Sequence, residues 1–269
     1  MRWLRQWVAQ SKPKGWLTPE EDALVPPRSM WIGPDDPISH YYRWPWEYLA
    51  YLTLLANVKR TSSVLELGCG HGRTARGLLD YLRSPGRYVG LDVDARRIQD
   101  AQERIQRRVP NFEFILADVY NRQYNPRGRH SAAQYRFPFE DESFDTVYAA
   151  SLLTHLLPAE IQQYFAECRR VLKSGGTCLF SAFVLDHYRG PGSTLTPMCE
   201  FDHPLVGHHG VAARDPKHPD LAIAYTLSTL RQLAKDASLE LVLEIPGLWS
   251  DATEWAVNEH DLILLQRSS

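Results

Sequence analysis

The chain has no apolar run long enough to cross a membrane, no excess of charge of either sign and no closely spaced pair of cysteines. Its opening stretch, MRWLRQWVAQSK, carries Arg and Trp but no continuous apolar core, so neither a secretory leader nor a spanning helix is expected. Lys and Arg together number 30 against 32 Asp and Glu, for a formal net charge of −2. No global field then draws the chain onto nucleic acid or an anionic membrane. The four cysteines, Cys69, Cys168, Cys178 and Cys199, lie far apart. That spacing argues against a disulfide framework and suits a reducing cytoplasm, the location expected. Internal repeats and low-complexity tracts are missing too, so 269 residues read as one domain with embellishments.

What the chain does have is alternation. Apolar residues at helical spacing predict a helix from Trp46 to Val58. Strand and helix patterns then follow in turn: VLELG, a helix near 74–82, YVGLDV, a helix near 95–107, FEFILAD, FDTVYAAS, a helix near 158–172, and TCLFSAFVL. Repeated strand–helix units with apolar strands predict an α/β fold, a doubly wound, Rossmann-like parallel sheet covered on both faces. The tail gives a helix near 227–237, then LELVLEI and DLILLQ with turn formers between them, which predicts an antiparallel pair. Two stretches, 119–139 and 186–220, interrupt the alternation and are too long for ordinary loops of a compact domain.

The motifs sit where the strands end. VLELGCGHG, residues 64–72, runs a strand into Gly68, Gly70 and Gly72 before a helix, which puts bare backbone at the carboxyl edge of the sheet. A phosphate-cradling loop would need Gly-Lys-Ser/Thr, and a dinucleotide fingerprint would read G-x-G-x-x-G; neither is present. Glu66, two residues before the first glycine, would repel a pyrophosphate and suits a cationic adenosine compound. The second strand ends in Asp92-Val93, about twenty residues on, where a carboxylate can accept both hydroxyls of a ribose. Asp94 reads as the N-cap of the next helix. The third strand ends in Asp118-Val119, a carboxylate and an amide placed to read an adenine edge. After the fourth strand comes ASLLTH, with Ser151 and His155, facing the end of the ligand where chemistry would occur.

With these residues the sequence resembles the class I S-adenosylmethionine-dependent methyltransferases, in their small-molecule branch, through the ELGCGxG loop and the VLKSGG turn before the fifth strand. The resemblance runs over residues 46–185 and, more faintly, the tail. It implies S-adenosylmethionine as cofactor and a seven-stranded sheet whose last strand is antiparallel. It also implies a methionine-moiety loop at Glu66, Gly68, Cys69 and Gly70, a ribose ligand at Asp92 with Val93, an adenine clamp at Asp118 and Val119, and Ser151 at the cofactor. In this reading residues 1–45 are an aromatic, Pro-rich leader that covers the active site, burying Trp3, Trp7, Trp16 and Trp31. Residues 46–269 form the methyltransferase domain with inserts at 119–139 and 186–220.

The acceptor is legible only as a class. Leader and inserts should enclose the transferred methyl, which suits a small metabolite, natural product or glycan building block methylated on a hydroxyl, with an amine second. His155 is the candidate catalytic base, and Tyr41, Tyr42, Tyr120 and Arg122 are candidate substrate contacts. Arginines and tyrosines alternate in the first insert, a pattern that can bind nucleic acid; the nearby run Glu140-Asp141-Glu142 offers those arginines plainer partners. A nucleic-acid methyltransferase and a non-catalytic cofactor-binding partner subunit are therefore the alternatives. Cys199, His203, His208, His209 and His218 match no tetrahedral zinc spacing, so no metal is expected. Oligomeric state is left open, a homodimer included.

Overall fold

A computed structural model describes Leu24 and residues 37–188, 200–250 and 258–268, with side chains from Arg43 onward in the first long segment. Trp3, Trp7, Trp16, Trp31, Cys199 and the side chains of Tyr41 and Tyr42 lie outside the described residues. A helix, α1 (Pro37–Leu54), precedes the sheet. It starts before the Trp46 expected from periodicity, because Pro45 reads as a stop yet is carried inside the helix.

The sheet has seven strands: β1 (Ser63–Leu67), β2 (Arg87–Asp92), β3 (Phe112–Leu116), β4 (Phe144–Ala149), β5 (Leu172–Ala182), β9 (Leu239–Ile245) and β10 (Asp261–Arg267). Their order is β3-β2-β1-β4-β5-β10-β9. β1 to β5 pair in parallel, whereas β10 runs antiparallel to both of its neighbours. This is the expected doubly wound sheet with its last strand reversed. The helices are α2 (Arg76–Leu79), α3 (Ala95–Ala101), α4 (Pro158–Val171) and α5 (Leu227–Asp236). Asp94 caps α3 as expected, accepting from the N–H groups of Arg96 and Arg97. A π-helical turn, Gln102–Gln106, continues α3.

Alternation along each strand splits the core in two. Leu65 and Leu67 of β1 face a cluster with Phe165 of α4 and Leu230 of α5. Val64 faces the opposite cluster, with Tyr48 of α1, Tyr88, Phe112 and Tyr148. Each fully buried side chain of this size contributes roughly 1.5–3 kcal/mol by leaving water. Glu66 shares Val64's face, and in register it stands between Gly90 of β2 and Tyr148 of β4.

Both inserts carry more structure than a loop. The first begins with an Asx turn, Asn121 Oδ1 accepting from the N–H groups of Gln123 and Tyr124. Its second half belongs to the main core: Ala132, Tyr135 and Phe137 are buried, and Arg170 of α4 donates to the carbonyls of Phe137 and Phe139. The second contains β6 (His203–Pro204) and β7 (Val211–Ala213), which join β8 (Ile223–Tyr225) in a small antiparallel sheet. Strands of two and three residues are too short to leave a periodic signal in sequence.

Candidate functional site

Beyond Leu67 the chain turns through Gly68, Gly70 and Gly72, all with positive φ, at 73°, 55° and 75°. Their surroundings separate them. A Cβ on Gly72 would fall 2.7 Å from Ile105 Cδ1 and 3.0 Å from the Phe114 ring, so that glycine lets β3 and the π-turn pack against the loop. On Gly68 it would meet Leu152 Cδ1 at 3.6 Å, and on Gly70 nothing nearer than Arg97 Cδ at 3.9 Å. Gly70 is bare backbone facing open space.

Asp92 closes the other side of that space. Its Oδ2 accepts the Gly70 N–H at 2.7 Å and its Oδ1 the Asp94 N–H at 2.8 Å. Burial raises its pKa, and these two backbone donors pull the other way. A carboxylate has about four lone-pair sites, so each oxygen keeps capacity for another donor. Val93 follows, half-buried.

Glu66 is turned into the protein. Tyr148 donates to its Oε2 at 2.7 Å, Tyr88 donates to the same oxygen, and Thr74 donates to Oε1. The residue is 2% exposed, and burial pushes its carboxyl up to about 7 against those three hydroxyls. It ties β1, β2 and β4 to the segment after the glycine loop. Cys69 is buried as well, under the loop and against Gly90.

At the end of β3, Val119 is buried while Asp118 stands open and accepts from the Arg129 backbone N–H at 3.1 Å and from its guanidinium. The guanidinium holds that carboxyl below its usual range. Tyr120 is exposed. Arg122 reaches across to the second insert, 3.4 Å from Asp220. His155, after β4, donates through Nδ1 to the Asp220 carbonyl at 3.0 Å, which leaves the lone pair of the neutral ring on Nε2. Desolvation lowers its pKa. The turn at Asp220 thus joins the two inserts and the post-β4 loop.

Ser151, also after β4, adopts φ of 59°. A left-handed conformation costs a residue with a Cβ roughly 1–2 kcal/mol, and two contacts hold it. Its N–H donates to Ser181 Oγ at 2.6 Å, and its Oγ lies 3.2 Å from His260 Nδ1. Sequence reasoning found Ser151 but not Ser181 or His260. Neither sits in a motif, and the pairing spans more than a hundred residues. Among the described residues one grouping of metal-ligand atoms occurs, His187, Glu244 and Asp261, all within 4.8 Å. It involves none of the histidines singled out in the second insert. Asp261 there already accepts from Gly247 N–H, Val184 N–H and Trp249 Nε1–H, each at 2.7 Å.

Residues 64–176 match the family model described as a methyltransferase domain. The chain is 35% identical over 118 residues to phthiotriol/phenolphthiotriol dimycocerosates methyltransferase 1 of Mycobacterium ulcerans, covering 44% of this chain and 36% of that protein. It is 27% identical over 187 residues to "Probable methyltransferase ltbC" of Aspergillus luteorubrus, covering 68% and 60%. It therefore spans less than two thirds of either relative. Among solved structures it superposes on Burkholderia thailandensis 1,6-didemethyltoxoflavin-N1-methyltransferase, which holds 1,6-didemethyltoxoflavin and S-adenosylhomocysteine, with a TM-score of 0.54 at 16% identity over 84% of this chain and 79% of that one. The strand order, the reversed β10, the glycine turn at the end of β1 and the match over residues 64–176 agree: residues 64–176 carry a methyltransferase domain, set in the fold of the class I S-adenosylmethionine-dependent methyltransferases.

Proposed function

We propose that the chain transfers the methyl group of S-adenosylmethionine to a hydroxyl, or second to an amine, of a small acceptor. One observation carries this reading: an open left-handed glycine, Gly70, whose N–H is fixed by a buried carboxylate, Asp92, that retains acceptor capacity. Those residues fit the cofactor, because bare backbone admits close approach and the carboxylate can receive a ribose diol. Gly68, Cys69 and Gly70 would hold it by main chain, Asp92 and Val93 at the end of β2, and Asp118 and Val119 at the end of β3. Glu66 serves from below, by anchoring the loop. Bound there, S-adenosylmethionine supplies an electrophilic methyl on a sulfonium.

The chain's own contribution is orientation, exclusion of water and management of the acceptor's proton. His155 Nε2 is the proposed proton acceptor. The contacts of Asp220 with Arg122 and His155 support an enclosed acceptor. The arginines of the first insert are largely spent: Arg122, Arg129 and Arg136 pair with Asp220, Asp118 and Asp141. That weakens the case for a phosphate backbone. Titration calorimetry should show binding of S-adenosylmethionine and S-adenosylhomocysteine but not NADH; neither heat nor a thermal shift with either ligand would overturn the reading. Release of S-adenosylhomocysteine in the presence of hydroxyl acceptors separates an enzyme from a silent binding subunit.

A further inference from the structure

Five polar side chains from distant parts of the chain meet at the carboxyl edge between β4, β5 and the start of β10. Ser151 follows β4, Ser181 lies near the end of β5, and Asn258 and His260 precede β10. Tyr48 comes down from α1 and hydrogen-bonds to Ser181 and Asn258. Asn258 Oδ1 accepts the His260 N–H at 3.1 Å, and the Ser151 contacts to Ser181 and His260 complete the chain. Four of the five are buried, with Tyr48, Ser181, Asn258 and His260 at 2%, 0%, 7% and 9% exposure. Ser151 alone of the five is partly open. It is the accessible tip of a buried network.

Its location joins this network to the cofactor loop. Leu152, the next residue, packs against Gly68. Its surroundings are otherwise apolar: the His260 ring stands edge-on to Phe183, centroids 4.6 Å apart and planes at 89°, and Phe183 packs on Trp249 and Phe201. None of the five carries a fixed charge. Burial pushes the His260 imidazole down to about 4, so the Ser151–His260 pair stays neutral at physiological pH.

We propose that Ser151, held in its left-handed conformation by Ser181 and His260, is the hydrogen-bonding anchor for the acceptor. Its ligand is an uncharged hydroxyl or N–H borne on an apolar body. This rests on the methyltransferase reading above and adds the acceptor's chemistry. A serine hydroxyl has one donor and two acceptor sites, and His260 occupies one of them. The remainder face the open side, where a neutral polar atom is satisfied and a carboxylate or phosphate finds no cationic partner within the cluster. His260 is a positioning residue: it acts through Ser151.

The test uses the intact chain loaded with S-adenosylhomocysteine, with phenol as the neutral probe and benzoate as its charged counterpart. Phenol should shift the imidazole 15N resonances of His260, assigned by their loss in His260→Asn, and benzoate should leave them unmoved. By calorimetry, Ser151→Ala and His260→Phe should each weaken phenol binding by about tenfold. His260→Asn places an amide atom where Nδ1 stood and should retain phenol binding within about threefold. Its rescue keeps the test valid if His260→Phe folds poorly. If phenol leaves His260 unmoved, if benzoate binds as well, or if Ser151→Ala binds phenol normally, the proposal is overturned with the cofactor reading intact. If S-adenosylhomocysteine fails to bind the unmutated chain, the methyltransferase reading itself falls.

Discussion

The two halves of the sheet's carboxyl edge are built by different means. On the β1–β2 side the site is main chain: a glycine turn pinned by Asp92, with both partners inside a stretch of 25 residues from Gly68 to Asp92 and both named by local sequence. On the β4–β5–β10 side it is side chain. Ser151, Ser181 and His260 come from three separate segments, and their contacts close over 30 and 109 residues of sequence. On the reading proposed above, the cofactor is held by backbone, which needs few particular side chains, whereas the acceptor is met by side chains that only the complete fold brings together.

The hardest way to break the backbone half is to fill it. Gly72→Val would drive a side chain into Ile105 and Phe114 at a backbone angle that valine rarely adopts. We expect a loss of about 4 kcal/mol, the scale of a severe core clash, read as a fall in chemical-denaturation midpoint. A normal midpoint would mean that the loop can move aside and is not pinned.

Glu66 offers a pH-dependent break. Its folded carboxyl titrates near 7 against an ordinary 4.5. Between those values the folded state keeps a proton that the unfolded state has released, so stability falls as pH rises from 5 to 7 and levels off above. At about 1.4 kcal/mol per unit the swing is about 3 kcal/mol. Glu66→Gln, which cannot titrate, should flatten that slope in denaturation series at pH 5, 6, 7 and 8. An unchanged slope would remove Glu66 as its source.

A smaller effect separates binding from folding. Asp92→Ala should weaken S-adenosylhomocysteine binding by about 1.5–3 kcal/mol, the scale of hydrogen bonds to a charged group, with the far-ultraviolet spectrum unchanged. Unaltered affinity would place the ribose elsewhere. Least of all should come from Arg122→Ala at the join of the inserts. Its partner Asp220 and its own side chain are each about two-fifths exposed, so we expect under about 0.5 kcal/mol of stability. A larger cost would show that the inserts are locked together.

How far the sequence reaches follows the same division. The alternation, the glycine turn, Asp92 and the reversed last strand were all legible, because each is written in residues close together. The inward turn of Glu66 was not. In a central parallel strand both faces are buried, so alternation cannot say which face a carboxylate takes. Phe137 was assigned to an insert because turn formers surround it, yet it anchors in the main core. The arginines of 119–139 offered a pattern that can bind nucleic acid, but three of them answer acidic neighbours. His260 carried no signal at all, since its partner in the fold is set by where β10 inserts.

That insertion has a kinetic consequence. β9 is made before β10 yet pairs only with β10, which alone joins it to β5. Until β10 threads in beside β5, β9 has no place in the sheet and Ser151 has no His260. The long loop closures that β10 requires make it a slow step. The β1–β2 half of the edge can therefore mature first, with the Ser151–His260 contact arriving as the last act of folding. Pulsed hydrogen exchange should show the amides of β9 and β10 gaining protection together, after those of β1 and β2.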